Sequence, residues 1–241
     1  MTSFALTDAT AWVNGYDLTG DTNQVSLSAT AEELDATPFG AGFRVRRAGL
    51  RTVTAQLAGF WQSALSGAVD PEAFPDLGVA DRVVTLAPDL AEGSTAYLFQ
   101  GGKFSYQAFG QVGAMTPFSL GMSGTNGVGL IRGQVAKAKA DVSAVGATGT
   151  GVQLGAVGVG QYLYASLHVF AAGTTITVDV ESAPDDTFAA ATSRGTIGPV
   201  TTAGGVWMAR VVGPITDAYY RFNVTAVTGT FSIAGAIGIG S

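Results

Sequence analysis

Few side chains in this sequence are equipped for chemistry. The one histidine, His168, lies in Leu167-His168-Val169-Phe170, whose alternation makes it a strand residue. Imidazole serves as a general base, a proton carrier or a metal ligand. With a single histidine and no cysteine, multi-histidine and thiolate metal sites are excluded, as is thiol catalysis. The pattern gives His168 a structural place on the strand face opposite Leu167 and Val169. The dense carboxylates are Glu32-Glu33 with Asp35, and Asp185-Asp186. An acid/base pair or a cation site needs such groups to converge, whereas neighbouring strand residues face opposite ways and loop acids are solvated. Gly155-Ala156-Val157-Gly158-Val159-Gly160 lacks the Gly-Lys-Ser/Thr ending of a phosphate loop, and no βαβ pattern follows it, so it reads as turn or strand glycine. No nucleophile can be matched with a base. The sequence therefore assigns no catalytic, cofactor-binding or metal-binding residue, and the chain is read as a non-enzyme.

The strongest basic cluster is Arg44, Arg46, Arg47 and Arg51. Guanidinium groups so placed suit phosphate contacts, or ion pairs with Glu32, Glu33 and Asp35 inside the chain or across to a neighbouring copy. The second reading is preferred, and these seven residues are the candidate inter-subunit contacts. Charge distribution agrees. Residues 1–126 hold 6 basic and 12 acidic side chains, and residues 127–241 hold 6 of each. An acidic first half argues against gripping nucleic acid, which needs clustered Lys and Arg.

The elements that must carry these groups are strands. Gln24–Thr30 and Thr52–Leu57 alternate apolar with small polar residues, as a half-buried strand does. Further strands are expected at 82–86, 96–100, 103–109 and 117–122, separated by Gly, Pro and Asp clusters. One short helix is expected at Pro71, capped by Asp70, with Phe74 and Leu77 as its apolar side. Thr125-Asn126-Gly127 is a turn signal where the charge balance changes, so the chain is divided there into 1–126 and 127–241. The second unit is read as strands at 161–170, 174–181, 206–212, 219–227 and 230–239. The resulting class is all-β with little helix, a β-sandwich or small barrel followed by a second sandwich. Met1-Thr2-Ser3-Phe4 carries no signal-peptide pattern, and Gly, Thr, Ser and Gln interrupt the uncharged stretch 142–178 too often for a membrane span, so no membrane partner is expected.

Asp35-Ala36-Thr37-Pro38-Phe39-Gly40, then Arg46-Arg47-Ala48-Gly49-Leu50-Arg51, then Leu57-Ala58-Gly59-Phe60-Trp61 resemble, in that order, the major tail (tail tube) proteins of long-tailed bacteriophages. That family shows an Asp-Ala-Thr-x-Phe-Gly segment, a basic stretch with Ala-Gly-Leu, and a strand ending near Gly-Phe-Trp. The likeness extends through Gly78-Val79-Ala80-Asp81-Arg82-Val83-Val84 and Pro117-Phe118-Ser119, covering most of residues 4–125. It continues more weakly at Leu163-Tyr164-Ala165-Ser166-Leu167-His168-Val169 and Gly213-Pro214-Ile215-Thr216-Asp217. The resemblance implies a tail-tube-like β-sandwich with a flanking helix, and protomers that close into rings and stack into a tube. It also implies a channel that conducts DNA without tight binding, other tail proteins as partners, and residence in the virion after synthesis in the host cytoplasm. Family proteins with two tube-like units form trimers with six-fold-like rings, and those with one unit form hexamers that carry an outer domain. Gly49–Thr54 can be laid over Gly173–Val178, which leaves both arrangements open. A second class stays in view. Trp207-Met208-Ala209-Arg210 with Tyr219-Tyr220-Arg221-Phe222 resembles the last strands of jelly-roll sugar-binding modules, which implies a carbohydrate-binding or adhesion module on a virion or cell surface.

Overall fold

The computed structural model describes residues 9–63 and 68–241, so Met1-Thr2-Ser3-Phe4 lies outside the described residues. Before the expected division come β1 (Thr10–Val13), β2 (Tyr16–Asp17), β3 (Thr22–Asp35), β4 (Arg46–Phe60), helix α1 (Val69–Ala73), β5 (Arg82–Ala87), β6 (Thr95–Ala108) and β7 (Pro117–Gly124). After it come β8 (Ile131–Val142), β9 (Gly146–Gln153), β10 (Tyr162–Ala171), β11 (Thr175–Ala183), β12 (Thr192–Val200), β13 (Gly204–Trp207), β14 (Val211–Val212), β15 (Tyr219–Thr228) and β16 (Phe231–Gly240). The fold is all-β, and the pairs between these strands are antiparallel.

One large sheet runs β13-β10-β16-β8-β6-β5-β1-β2 and forks at β6. The first residues of β6 pair with β8, from Thr95 opposite Gln134 to Leu98 opposite Ile131. Gly101 to Ala108 pair instead with β7, which continues into β4 and β3. Two glycines make the fork possible. A Cβ on Gly101 would stand 2.8 Å from the Ser123 carbonyl oxygen, so the strands meet at a distance that only glycine tolerates. The stretches expected as two strands, 96–100 and 103–109, are thus one, because these glycines mark close approach and not a turn. A second sheet, β12-β11-β15-β9, packs on the face of β8, β10 and β16.

Three apolar cores follow from this. Val178, Val180, Tyr220 and Phe222 meet Leu163, Leu167, Ile233 and Ile237 between the two sheets. Val53, Leu57, Phe118 and Leu120 close over Val13, Val84, Leu86 and Phe99. The third core, with Trp12, Ala96, Leu98, Ile131, Val135, Tyr164 and Ala236, takes residues from both sides of the expected division. That division falls in the turn between β7 and β8, and the large sheet passes across it through the β6–β8 pairing.

The helix differs from expectation. Its N-cap is Ala68, without a side-chain cap bond, and it buries Val69 and Ala73. Phe74 and Leu77 are exposed. Asp70 is drawn elsewhere: it accepts hydrogen bonds from Trp61 Nε1 at 3.2 Å and Tyr106 Oη at 2.8 Å. The stretch expected as one strand at 206–212 is two short ones, since Met208 turns into the core between them.

Candidate assembly surface

The branch β3-β4-β7-β6 is a four-stranded sheet with one dry and one wet face. Odd residues of β4 (Val53, Ala55, Leu57) and even residues of β7 (Phe118, Leu120, Met122) are buried, with Val25, Leu27 and Tyr106 partly so. Cross-strand partners share a face. The opposite face is therefore fixed by the pairs Ser26 with Gln56, Ser28 with Thr54, Thr30 with Thr52, Thr54 with Ser123, Ser105 with Gly121 and Gln107 with Ser119. Hydroxyls and amides cover it, and none of these residues is charged. Both long edges are open among the described residues: β3 pairs only with β4, and beyond Lys103 the far edge of β6 has no strand partner. An unpaired row of N–H and C=O groups is a template for another strand.

Beyond Thr54, β4 has left β7 behind and continues with β3 alone toward Arg46. The overhang from Arg46 to Val53 makes a two-stranded arm of about 25 Å at the usual strand rise. Such a hairpin is marginal in water without support. Its end exposes Leu34, Phe39, Phe43, Val45 and Leu50. At the opposite end of the same sheet the β6–β7 connection exposes Phe109, Val112 and Met115. Exposed apolar side chains thus stand at both ends of one sheet.

All seven candidate contacts lie on this arm. Asp35 is opposite Arg46, Leu34 opposite Arg47, Glu33 opposite Ala48 and Ala31 opposite Arg51. Arg46 forms an ion pair with Glu33 at 2.6 Å, both exposed. Asp35 organises the loop: its Oδ1 accepts the Thr37 N–H at 3.0 Å and the Thr37 hydroxyl, and these bonds hold its carboxyl below the usual range. Thr37 Oγ1 in turn accepts the Val45 N–H at 2.9 Å. Gly40, at φ +83°, makes the turn that leaves Phe39 outward. The segment Asp35–Gly40 is thus a self-bonded loop that presents an aromatic ring. Glu32, Arg44, Arg47 and Arg51 form no ion pair among the described residues.

The other groups singled out in the sequence are absorbed by the fold. His168 is fully buried, bonded to Thr85 and Gly15, and burial pushes it down to about 3. Asp185 accepts the Thr187 N–H at 3.0 Å in a loop. Gly155 and Gly160 take positive φ at turns flanking the Val157–Ile215 bridge. Tyr220 and Phe222 are core residues, and Arg221 is paired with Glu181 at 2.9 Å over the Phe188 ring. Trp207 and Tyr219 remain half-exposed, Trp207 beside an exposed Arg210. Sequence reasoning missed the buried cluster in which Lys103 Nζ contacts Asp76 at 3.2 Å and the Glu72 carbonyl at 2.9 Å, with Arg82 also on Asp76. Isolated charges in strand and loop gave no signal of their convergence. No three of His, Cys, Asp and Glu come together as a metal site, and no helix is long and apolar enough to cross a membrane, among the described residues.

The chain matches no protein-family model and no curated protein. Among solved structures it is similar to a chain of the tail of an empty GTA particle with C6 symmetry, at 20% identity and a TM-score of 0.37, over 46% of this chain and 80% of that one. It is similar to the SPP1 tail tube protein at 11% identity and a TM-score of 0.41, over 52% and 76%. To the SPP1 Dit protein it is similar at 11% identity and a TM-score of 0.38, over 97% and 99%. These three solved structures are of a gene transfer agent tail, a tail tube and a phage hub adsorption protein.

Proposed function

We propose that this protein is a structural component of a bacteriophage tail whose copies join edge to edge into rings and stack into a tube that conducts DNA. The observation that carries the reading is the sheet β3-β4-β7-β6, with two open edges and an uncharged face opposite its core. Pairing the β3 edge of one copy with the β6 edge of the next satisfies both rows of backbone groups and, repeated, closes a barrel without edges. The contact is heterologous, so the rotation between copies sets the ring number, three or six. The uncharged face then lines the channel. A lumen of hydroxyls and amides gives a passing duplex no fixed cations to dwell on.

Stacking uses the two ends of the same sheet. The apolar end of the arm, ringed by Arg44, Arg46, Arg47 and Arg51, meets the next ring, where Phe109, Val112 and Met115 offer an apolar counterpart. Glu32, Glu33 and Asp35 keep the arginines from repelling each other. Residues 127–241, neutral in sum, supply the outer wall. The reading places the protein in the virion, with other tail proteins at the ends of the tube. Purified protein examined by sedimentation and negative stain tests this: rings or tubes are expected, and a monomer at every concentration refutes it.

A further inference from the structure

A cleft of about 370 Å³ separates the β7–β8 turn from β10 and β13. Gln100, Asn126, Val128, Tyr164, Trp207 and Arg210 wall it, and its volume lies in the range of sites for small ligands. Its apolar wall is the half-exposed Trp207 indole, set 6.0 Å from the Tyr164 ring. Its cation is Arg210, exposed, with its guanidinium carbon 4.4 Å from the Tyr162 ring centroid and no carboxylate partner among the described residues. That cation–π contact holds the guanidinium in place while its N–H groups stay available. Its polar floor is an amide pair: Asn126 donates to Gln100 Oε1 and accepts the Val128 N–H at 2.9 Å. Gln100 Nε2 reaches only the Asp81 carbonyl at 3.5 Å, which leaves it donor capacity toward the cleft.

We propose that this cleft binds a sugar ring carrying a carboxylate, a uronic-acid unit of a surface polysaccharide. An indole face packs against the C–H face of a pyranose, side-chain amides match vicinal hydroxyls, and a planar guanidinium takes a carboxylate through two parallel bonds. A neutral sugar leaves the one unpaired cation unused. A bare anion leaves the indole and the amides unused. A nucleic acid strand calls for several clustered cations, and here there is a single arginine on a chain of net charge −6. The inference stands apart from the assembly reading, since none of the residues walling the cleft is among the proposed contacts.

The test titrates the full-length protein with oligogalacturonate, maltooligosaccharide and inorganic phosphate, read by calorimetry and tryptophan fluorescence. Oligogalacturonate is expected to bind and shift the emission. Arg210→Ala, at an exposed position that leaves the fold intact, is expected to weaken binding more than about tenfold, and Trp207→Ala to abolish the emission shift. Absence of any response to oligogalacturonate at about 10 mM overturns the proposal. So does an equal response to maltooligosaccharide, a response to phosphate alone, or binding that Arg210→Ala leaves unchanged.

Discussion

His168 Nε2 and Thr85 Oγ1 stand 2.9 Å apart in the interior, tying β10 to β5 across 83 residues of sequence. His168 Nδ1 accepts the Gly15 N–H at 3.3 Å, so the ring proton is on Nε2 and is donated to Thr85, whose hydroxyl is also hydrogen-bonded with Ser166 Oγ at 2.9 Å. Trp12 and Phe170 pack against the imidazole. A neutral histidine is therefore one of the links between the residues before and after the β7–β8 turn, beside the β6–β8 pairing.

That link sets a pH dependence. Burial pushes His168 from 6.5 down to about 3, against the opposing pull of the Asp17 carboxylate. The unfolded chain takes up a proton near 6.5 and the folded chain does not until about 3, so the unfolded state binds more protons in between. Stability is complete above 6.5 and falls by about 1.4 kcal/mol per pH unit as the pH drops through that window. Urea unfolding at pH 7 and pH 5 should show this loss in the wild type and a smaller one in His168→Gln. At pH 7, His168→Ala should lower stability by about 1–3 kcal/mol, because Thr85 and Gly15 lose their partner in the interior. Equal pH slopes for wild type and His168→Gln would disprove the link.

The strand alternation of Gln24–Thr30, Thr52–Leu57 and Tyr219–Val227 was legible because each has one buried and one wet face. β9 and β12 were not: Gly146-Ala147-Thr148-Gly149 and Gly195-Thr196-Ile197-Gly198-Pro199 are small-residue edge strands, whose composition reads as turn. β8 was missed for another reason. It is read as a strand only when Ala136, Ala138 and Ala140 count as apolar, between Lys137 and Lys139. The cluster of charges around residues 32–51 was visible as a cluster, and its register was not. Whether Arg46 meets Glu33 or Asp35 depends on a bulge between Ala31 and Glu33 that no local pattern encodes.

Gly59 gives a direct check on the packing at the end of β4 opposite the arm. A Cβ there would lie 1.9 Å from the Asp21 carbonyl oxygen and 2.9 Å from the Phe118 ring, so no side chain fits without moving the start of β3. Gly59→Ala should cost about 1–3 kcal/mol in chemical denaturation. Gly78→Ala, at φ +82° in open space, should cost less. The reverse order would contradict the close approach of these strands.

Charge reversal on the arm separates assembly from folding. Arg46 and Glu33 are both largely exposed, and their ion pair adds little to the stability of the single chain. Arg46→Glu with Arg47→Glu should leave the unfolding midpoint nearly unchanged and reduce the assembled fraction in sedimentation by about tenfold or more. Loss of folding and assembly in parallel would show that the arm is a folding element only.

The account also predicts weak engagement of DNA. Only 12 of the 241 side chains are Lys or Arg, and the charged residues of the arm lie beyond the uncharged face. In an electrophoretic shift at low salt, neither assembled nor unassembled protein should retain duplex DNA. Tight, salt-sensitive retention by either form would replace the conduit with a nucleic-acid-binding role.

A cryo-electron microscopy reconstruction of the assembled protein tests the central claim most directly. The account predicts a ring in which β3 of one copy is hydrogen-bonded to β6 of the next, with Ser26, Ser28, Thr54, Gln56 and Ser119 facing the lumen. A lumen built mainly from residues 127–241, or a β3 edge left open to solvent in the assembly, would contradict it.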